Sequence, residues 1–371
     1  MKSDKIVFII FLLVGFLVFF NGLNGEFIHD DNLVLSHIFF SQSAKIFSFF
    51  SEPYFEDFDH AGLYRPLTQI SFGLNFLFSS SPFGFHLVNV LLHVVNSFLV
   101  FILMKRIGRI GQIGPISPIS PIGPIAASLL FLVLPIHVEA VTSIVGRAEL
   151  LSFFFGILTL LLWFDSKYLL SAMTLLLALL SKENAVAVPA IAFLFGWHYR
   201  RSWRWLIYYF GAIIFYFILR FVVLGQYVFK TQVEFVFNPL AYTSFFERFW
   251  TALKILILYL AKIFVPYRLS ADYSYDQIPI VTNLFSSPLS LLGFVFLGFM
   301  FWEGYKILTR RKSSVLGWLF VFFFLSYLII SNLIFPTGTI MAERLMYFPS
   351  FGVLAILALF IEQLFKTSKK L

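Results

Sequence analysis

Cysteine is absent from the 371 residues. That excludes disulfide staples, thiolate metal sites and cysteine nucleophiles together. Charge is scarce as well, at 12% of residues against 60% hydrophobic and 20% aromatic, with a mean hydropathy of +0.89. A soluble domain of this size could not cover itself with so few polar side chains. The apolar runs are continuous rather than alternating, which argues against a β-barrel and leaves helices as the form that satisfies the backbone in lipid. No small-residue cleavage site follows the first apolar run, Ile6–Phe20, so it reads as an uncleaved span. The net charge of +8 is not a nucleic-acid signal, because Lys and Arg gather in short loops between apolar runs, as the positive-inside rule expects.

What is present is an all-α polytopic membrane protein. Lys2 and Lys5 place the start inside, and Lys366, Lys369 and Lys370 place the end inside. Between them we read spans at Ile6–Phe20, Phe83–Met104, Ile125–Leu134, Leu150–Phe164, Tyr168–Leu180, Ala185–Trp197, Trp205–Leu224, Pro288–Trp302, Val315–Leu333 and Leu345–Phe365, which makes ten, or eleven if the parity shifts. Three other stretches organise this single domain. Residues 24–82 form a long outer loop with an interfacial helix at His37–Phe50. Residues 107–125 (IGRIGQIGPISPISPIGPI) are a low-complexity inner-face linker. Residues 225–287 form a second outer loop. Within it Glu247 and Arg248, just before Phe249–Val265, share one side of the wheel with its Thr251, Lys254 and Lys262, interrupted by Ile255 and Leu258, and the piece reads as an amphipathic or re-entrant helix.

This topology brings the chemistry-bearing residues to one level. Asp30, Asp31, His137, Glu139, Arg147, Glu149, Lys182, Glu183, Asp272, Asp276, Glu343 and Arg344 all fall at the outer face, with Arg65 in the long outer loop and Arg220 one turn inside the outer end of its span. Any one of them alone is better explained as a helix cap or a solvated loop charge. A dozen of both signs at one level point to a cleft. In the Asp30-Asp31 pair, one acid suits a helix start and the other a general base at a dry interface. A divalent cation held by Asp31 with Asp57, Asp59 or His60 is the weaker alternative, for the spacing fits no fixed ligand motif. Arg147, Arg344, Lys182 and Arg220 are the cations suited to a phosphate, with structural ion pairs to neighbouring acids or snorkelling as the plain alternatives. His137 is more often a hydrogen-bonded structural histidine.

Several motifs together carry a resemblance. They are Phe27-Ile28-His29-Asp30-Asp31, Tyr64-Arg65-Pro66-Leu67-Thr68, Phe85-His86-Leu87-Val88-Asn89 with Leu92-His93, and Pro135-Ile136-His137-Val138-Glu139 through Gly146-Arg147-Ala148-Glu149. Ser181-Lys182-Glu183-Asn184, Leu269-Ser270-Ala271-Asp272-Tyr273 and Ala342-Glu343-Arg344 through Ser350 complete the series. In this order they resemble the transmembrane and tetratricopeptide-repeat protein O-mannosyltransferases, of the GT-C class of lipid-sugar-dependent glycosyltransferases. The family's repeat array should follow the last span, and this chain stops at Leu371. The resemblance implies a GT-C-like bundle and a polyprenyl-phosphate sugar as donor substrate. It implies inverting transfer of a hexose, mannose, to a hydroxyl acceptor, protein Ser or Thr, or a glycan. Asp30 or Asp31 would be catalytic and Arg344, Arg147, Lys182 and Arg220 would hold the phosphate. Membrane lipids are the remaining partners. The lack of cysteines and repeats favours a bacterial plasma membrane, with the active site on its outer face. The rival of a different class is a lipid or glycan transporter without transferase activity. It predicts charges near the midplane and two related halves, and the sequence shows neither.

Overall fold

The computed structural model describes residues 2–28, 30–40, 43–54, 62–111, 122–228, 233–311 and 314–368. All regular structure among them is helical. In chain order the helices are α1 (Lys2–Phe19), α2 (Asp30–Phe40), α3 (Pro66–Phe78), α4 (Pro82–Gly111), α5 (Ile122–Val133), α6 (Val138–Thr142) and α7 (Arg147–Phe164). They continue as α8 (Tyr168–Ser181), α9 (Ala187–His198), α10 (Trp205–Leu224), α11 (Phe245–Phe264), α12 (Pro288–Leu308), α13 (Val315–Leu328) and α14 (Ser350–Ser368). The result is a polytopic helical bundle consistent with the GT-C-like architecture.

Fewer helices reach crossing length than the ten or eleven expected. Among the described residues six stretches are long and apolar enough: Asp4–Asn24, Pro82–Gly108, Arg147–Phe164, Trp205–Tyr227, Pro288–Leu308 and Ser350–Ser368. A seventh counts only if Ile122–Val133 and Pro135–Thr142, bent by 52° at the break between them, are one span. Pro135 accounts for the bend, since it has no N–H to donate and its ring blocks the preceding turn. Helices α8 and α13, of 14 residues each, are shorter and apolar. At 1.5 Å per residue they measure about 21 Å, short of the ~30 Å hydrocarbon core. The last helix begins at Ser350 rather than Leu345, because Pro349 fits only at a helix's beginning and Glu343–Tyr347 is a separate 3-10 turn.

Two other boundaries differ from the sequence reading. The expected helix at His37–Phe50 is divided between α2 and a 3-10 turn over Ser43–Ser51. At the low-complexity stretch α4 runs on through Gly111 and α5 starts at Ile122, its Pro124 tolerated within the first turn. Residues 112–121 lie outside the described residues.

Packing is close where glycine permits it. A Cβ on Gly293 of α12 would sit 2.4 Å from the Leu253 carbonyl oxygen of α11, and one on Gly352 of α14 would sit 2.6 Å from Leu319 O of α13. Between helices in lipid, where burial from water supplies no driving force, such contact is a main source of cohesion. Helix α11 is amphipathic. It opens with a capping box, in which Ser244 Oγ accepts Glu247 N–H at 3.3 Å and Glu247 Oε2 accepts Ser244 N–H at 3.0 Å. Its apolar face, including Leu253, Leu256 and Tyr259, is buried, and the helix packs along α12. Its lysines are tied down, Lys254 Nζ donating to Pro279 O and Lys262 Nζ to Arg268 O, each at 2.9 Å.

Candidate active site

Helices α4 and α7 pack against each other, and at one end of them the segments around α2, α3, α6, the α8–α9 turn and Glu343–Tyr347 come together. Helix α2 starts with both acids of the pair in its first turn. They have different surroundings. Asp31 is buried, and its carboxylate accepts the backbone N–H of Val145 at 2.9 Å and of Ile28 at 3.3 Å. Burial raises its pKa, and these two N–H groups partly oppose the rise. Asp30 is half-buried, and among the described residues its carboxylate accepts no hydrogen bond and forms no ion pair.

Arg344 stands within electrostatic reach of Asp30. Glu139, on α6, receives the Arg344 backbone N–H at 2.7 Å and an ion pair from its Nη1. Burial works against the Arg344 charge, yet Glu139, and more weakly Asp30 and Glu149, raise its pKa. Its side chain keeps 31% exposure, and Nε and Nη2 have no partner among the described residues. Behind it, Tyr259 OH donates to Ala342 O and accepts Ala342 N–H, both at 3.0 Å, fixing the backbone two residues before Arg344.

A second layer consists of ion pairs. Lys182 Nζ pairs with Glu149, whose other oxygen accepts Asn184 Nδ2 at 2.8 Å. Burial lowers the Lys182 pKa, against the pull of Glu149. Arg65 grips Glu183 through Nη2 at 2.5 Å and Nε at 3.0 Å, in the forked geometry that suits a carboxylate. Burial would raise the Glu183 pKa, but Arg65 outweighs it and holds the carboxyl well below its ordinary range. The Arg65 guanidinium lies 5.2 Å from the Tyr54 ring centre. Arg220 donates to Tyr216 OH at 2.8 Å and to Gly62 O at 2.6 Å, and its charge reaches Glu183.

The other sequence candidates are occupied in the scaffold. Arg147 is fully enclosed. Its Nε donates to Asn89 Oδ1 at 2.8 Å, Nη1 to Ser71 O at 3.2 Å, and Nη2 to Asn75 Oδ1 and Phe85 O, both at 2.9 Å. The Phe72 ring covers it at 4.7 Å. His137 is buried between Phe131 O and Ser350 Oγ, each at 2.7 Å from a ring nitrogen. Glu343 is buried, accepting Ser270 N–H at 3.0 Å and the Tyr273 hydroxyl. Asp272 is exposed and caps its own turn through Ser274 N–H at 2.9 Å. Asp57, Asp59 and His60, named for the metal alternative, lie outside the described residues. Among the described residues no three His, Asp or Glu side chains group as a metal site.

Sequence reasoning did not single out Tyr54, Tyr259, Tyr273, Asn75 or Ser71. Tyr273 had a signal, for it directly follows Asp272 in a quoted motif. The rest had none, since only the fold brings them to the charged groups.

Comparison with known proteins gives distant relatives. The chain is 28% identical over 374 residues to a protein O-mannosyl-transferase of Caenorhabditis elegans, covering 96% of this chain and 51% of the relative. It is 27% identical over 394 residues to one of Homo sapiens (94% and 42%), and 31% identical over 300 residues to one of Drosophila melanogaster (73% and 31%). The chain is thus a distant homologue of the protein O-mannosyl-transferases, and it spans about half or less of the length of these relatives. No family model and no solved structure matches it.

Proposed function

We propose that the chain is an inverting glycosyltransferase that moves a hexose, mannose, from a polyprenyl-phosphate sugar to a hydroxyl acceptor, protein Ser or Thr, at the outer face of the plasma membrane. One observation carries this. Among the described residues Asp30 is a carboxylate without a hydrogen bond, and it stands within electrostatic reach of a partly exposed guanidinium, Arg344, whose Nε and Nη2 have no partner among the described residues. That the distant relatives are protein O-mannosyl-transferases supports the same chemistry.

In this mechanism Arg344 holds the donor phosphate through Nε and Nη2 while Glu139 fixes the guanidinium from the other side. Asp30 accepts the proton of the acceptor hydroxyl as its oxygen attacks the anomeric carbon. The new C–O bond forms as the bond to the phosphate oxygen breaks, and the polyprenyl phosphate leaves with the electron pair. It is already a stable anion, so no general acid is required. The protein's contribution is positioning and charge stabilisation at the phosphate. Asp31 is a positioning residue, since both its oxygens are engaged by backbone N–H groups. We place Arg147 in the scaffold rather than on the phosphate, because its donors are used internally. Lys182, Arg65 and Arg220 shape the field behind the phosphate. The whole chain acts as one membrane domain, with loop 24–82 supplying Asp30 and helix α11 walling the cleft.

The test is transfer or hydrolysis of a panel of radiolabelled polyprenyl-phosphate hexoses by purified protein, with and without EDTA. Turnover of one sugar that Asp30→Asn abolishes is the expected result. Wild-type rates in that variant would remove Asp30 from the mechanism, and no turnover of any donor would remove the reading.

A further inference from the structure

The other end of the bundle is built differently. Helices α7, α9 and α12 finish there, and all three finish in the same motif. In each, the second residue past the helix is left-handed: Ser166 (φ 60°), Arg200 (φ 51°) and Arg310 (φ 53°). In each, the next residue donates its N–H back to a carbonyl five residues earlier: Lys167 to Leu162 at 3.0 Å, Arg201 to Gly196 and Arg311 to Lys306, both at 2.9 Å. Glycine suits the left-handed position, and two of the three are arginine instead.

These ends form one surface. Trp197 Nε1 donates to Leu308 O at 2.8 Å, and Arg310 Nε returns a bond to Trp197 O at 3.2 Å. Arg201 Nη1 reaches Ser166 Oγ at 3.4 Å. Lys167, Arg200, Arg201, Arg204, Arg310 and Arg311 are all exposed, and among the described residues none of them pairs with a carboxylate. The acids at hand are already taken, Asp165 by Arg106 and Glu303 by Lys306. Trp203 and Tyr199 stand exposed among the cations, with Trp197 6.1 Å from Trp203 by ring centres. Aromatic side chains of this kind sit at headgroup depth.

The plain explanation is that cations offset helix C-terminal dipoles and set membrane orientation. Each dipole end amounts to about half a negative charge, so three of them offset roughly a quarter of the six cations. Orientation asks only for cations somewhere in the loop, not for arginine in a left-handed position. The excess leaves a net positive surface at that end. We propose that the ends of α7, α9 and α12 bind the phosphate of an anionic phospholipid. The positive surface is the charge complement of that headgroup, and α7 and α12 are crossing-length helices that place it at the membrane boundary.

The experiment uses the purified full chain in detergent, offered phosphatidylglycerol, phosphatidylcholine or inorganic phosphate. Native mass spectrometry counts retained lipid, and thermal unfolding reads any shift. Wild type should retain phosphatidylglycerol over phosphatidylcholine and show a raised midpoint with it alone. The variant Lys167→Gln/Arg200→Gln/Arg204→Gln removes side chains without hydrogen bonds among the described residues. It should keep its midpoint in phosphatidylcholine and lose affinity for phosphatidylglycerol by on the order of fivefold per cation. Equal retention of the two lipids by wild type would overturn the proposal without recourse to any variant. So would undiminished phosphatidylglycerol binding by a folded variant, or an equal midpoint shift from inorganic phosphate, which would mark a small-anion site.

Discussion

The two ends of this bundle treat their cations in opposite ways. At the end near α2 and α6, Arg344, Lys182 and Arg65 each meet a carboxylate within ion-pair distance, so the charges largely cancel. At the other end, six cations stand without one among the described residues. Paired charges in a low-dielectric cleft keep a defined geometry and suit chemistry on a bound group. Unpaired charges at a boundary suit a diffuse negative surface. Within the paired end the same contrast recurs between two arginines. Arg147 spends its donors on Asn89, Ser71, Asn75 and Phe85, whereas Arg344 keeps two nitrogens without a partner among the described residues.

Removing the enclosed arginine should have the largest effect on the fold. Arg147→Ala strands four acceptors in a dry interior and should cost about 3 kcal/mol or more of stability, read as a lowered unfolding midpoint in detergent. A midpoint equal to wild type would dissolve the distinction between the two arginines. Asp30→Asn should leave the midpoint unchanged and lower transfer by on the order of 10²–10⁴-fold. Asp31→Asn, by contrast, should lower both, because its oxygens hold backbone N–H groups. Arg344→Ala should weaken donor binding by on the order of 10-fold or more, with Arg344→Lys recovering part of it. An unchanged donor affinity would move the phosphate elsewhere.

The smallest expected effect is on pH. Arg65 holds the folded Glu183 pKa below its ordinary value of 4.5. Its contribution to stability is therefore complete above about pH 4.5 and fades as pH falls below it. Glu183→Gln should flatten that acid limb in a pH series of unfolding midpoints. A limb as steep as wild type would show that other carboxylates set it.

The helical membrane class was legible because continuous apolar runs with basic ends admit little else. The number of crossings was less so. Helices α8 and α13 are apolar throughout but only 14 residues long, and hydropathy reports apolarity without telling a short packed helix from a full crossing. Gathering Glu139, Lys182, Glu183 and Arg344 at one end followed from topology alone. Their partners did not. Both Arg147 and Arg344 sit beside an acid in sequence, yet each is held by residues far from it, Arg147 by α3 and α4 and Arg344 by Glu139 of α6. Sequence neighbours could not show which arginine is enclosed.

The bond from Val145 N–H to Asp31 joins the acid pair to the enclosed arginine. Val145 lies two residues before Arg147, and Asp31 directly follows Asp30. The acid we assign to the chemistry is thus tethered, through a strut a few residues long, to an arginine we place in the scaffold. Loosening the Arg147 anchor would let that acid drift, and a drift of about 1 Å can cost a hundredfold in rate. Activity lost in an Arg147 variant that still folds would then report a shifted lever arm and not a missing contact.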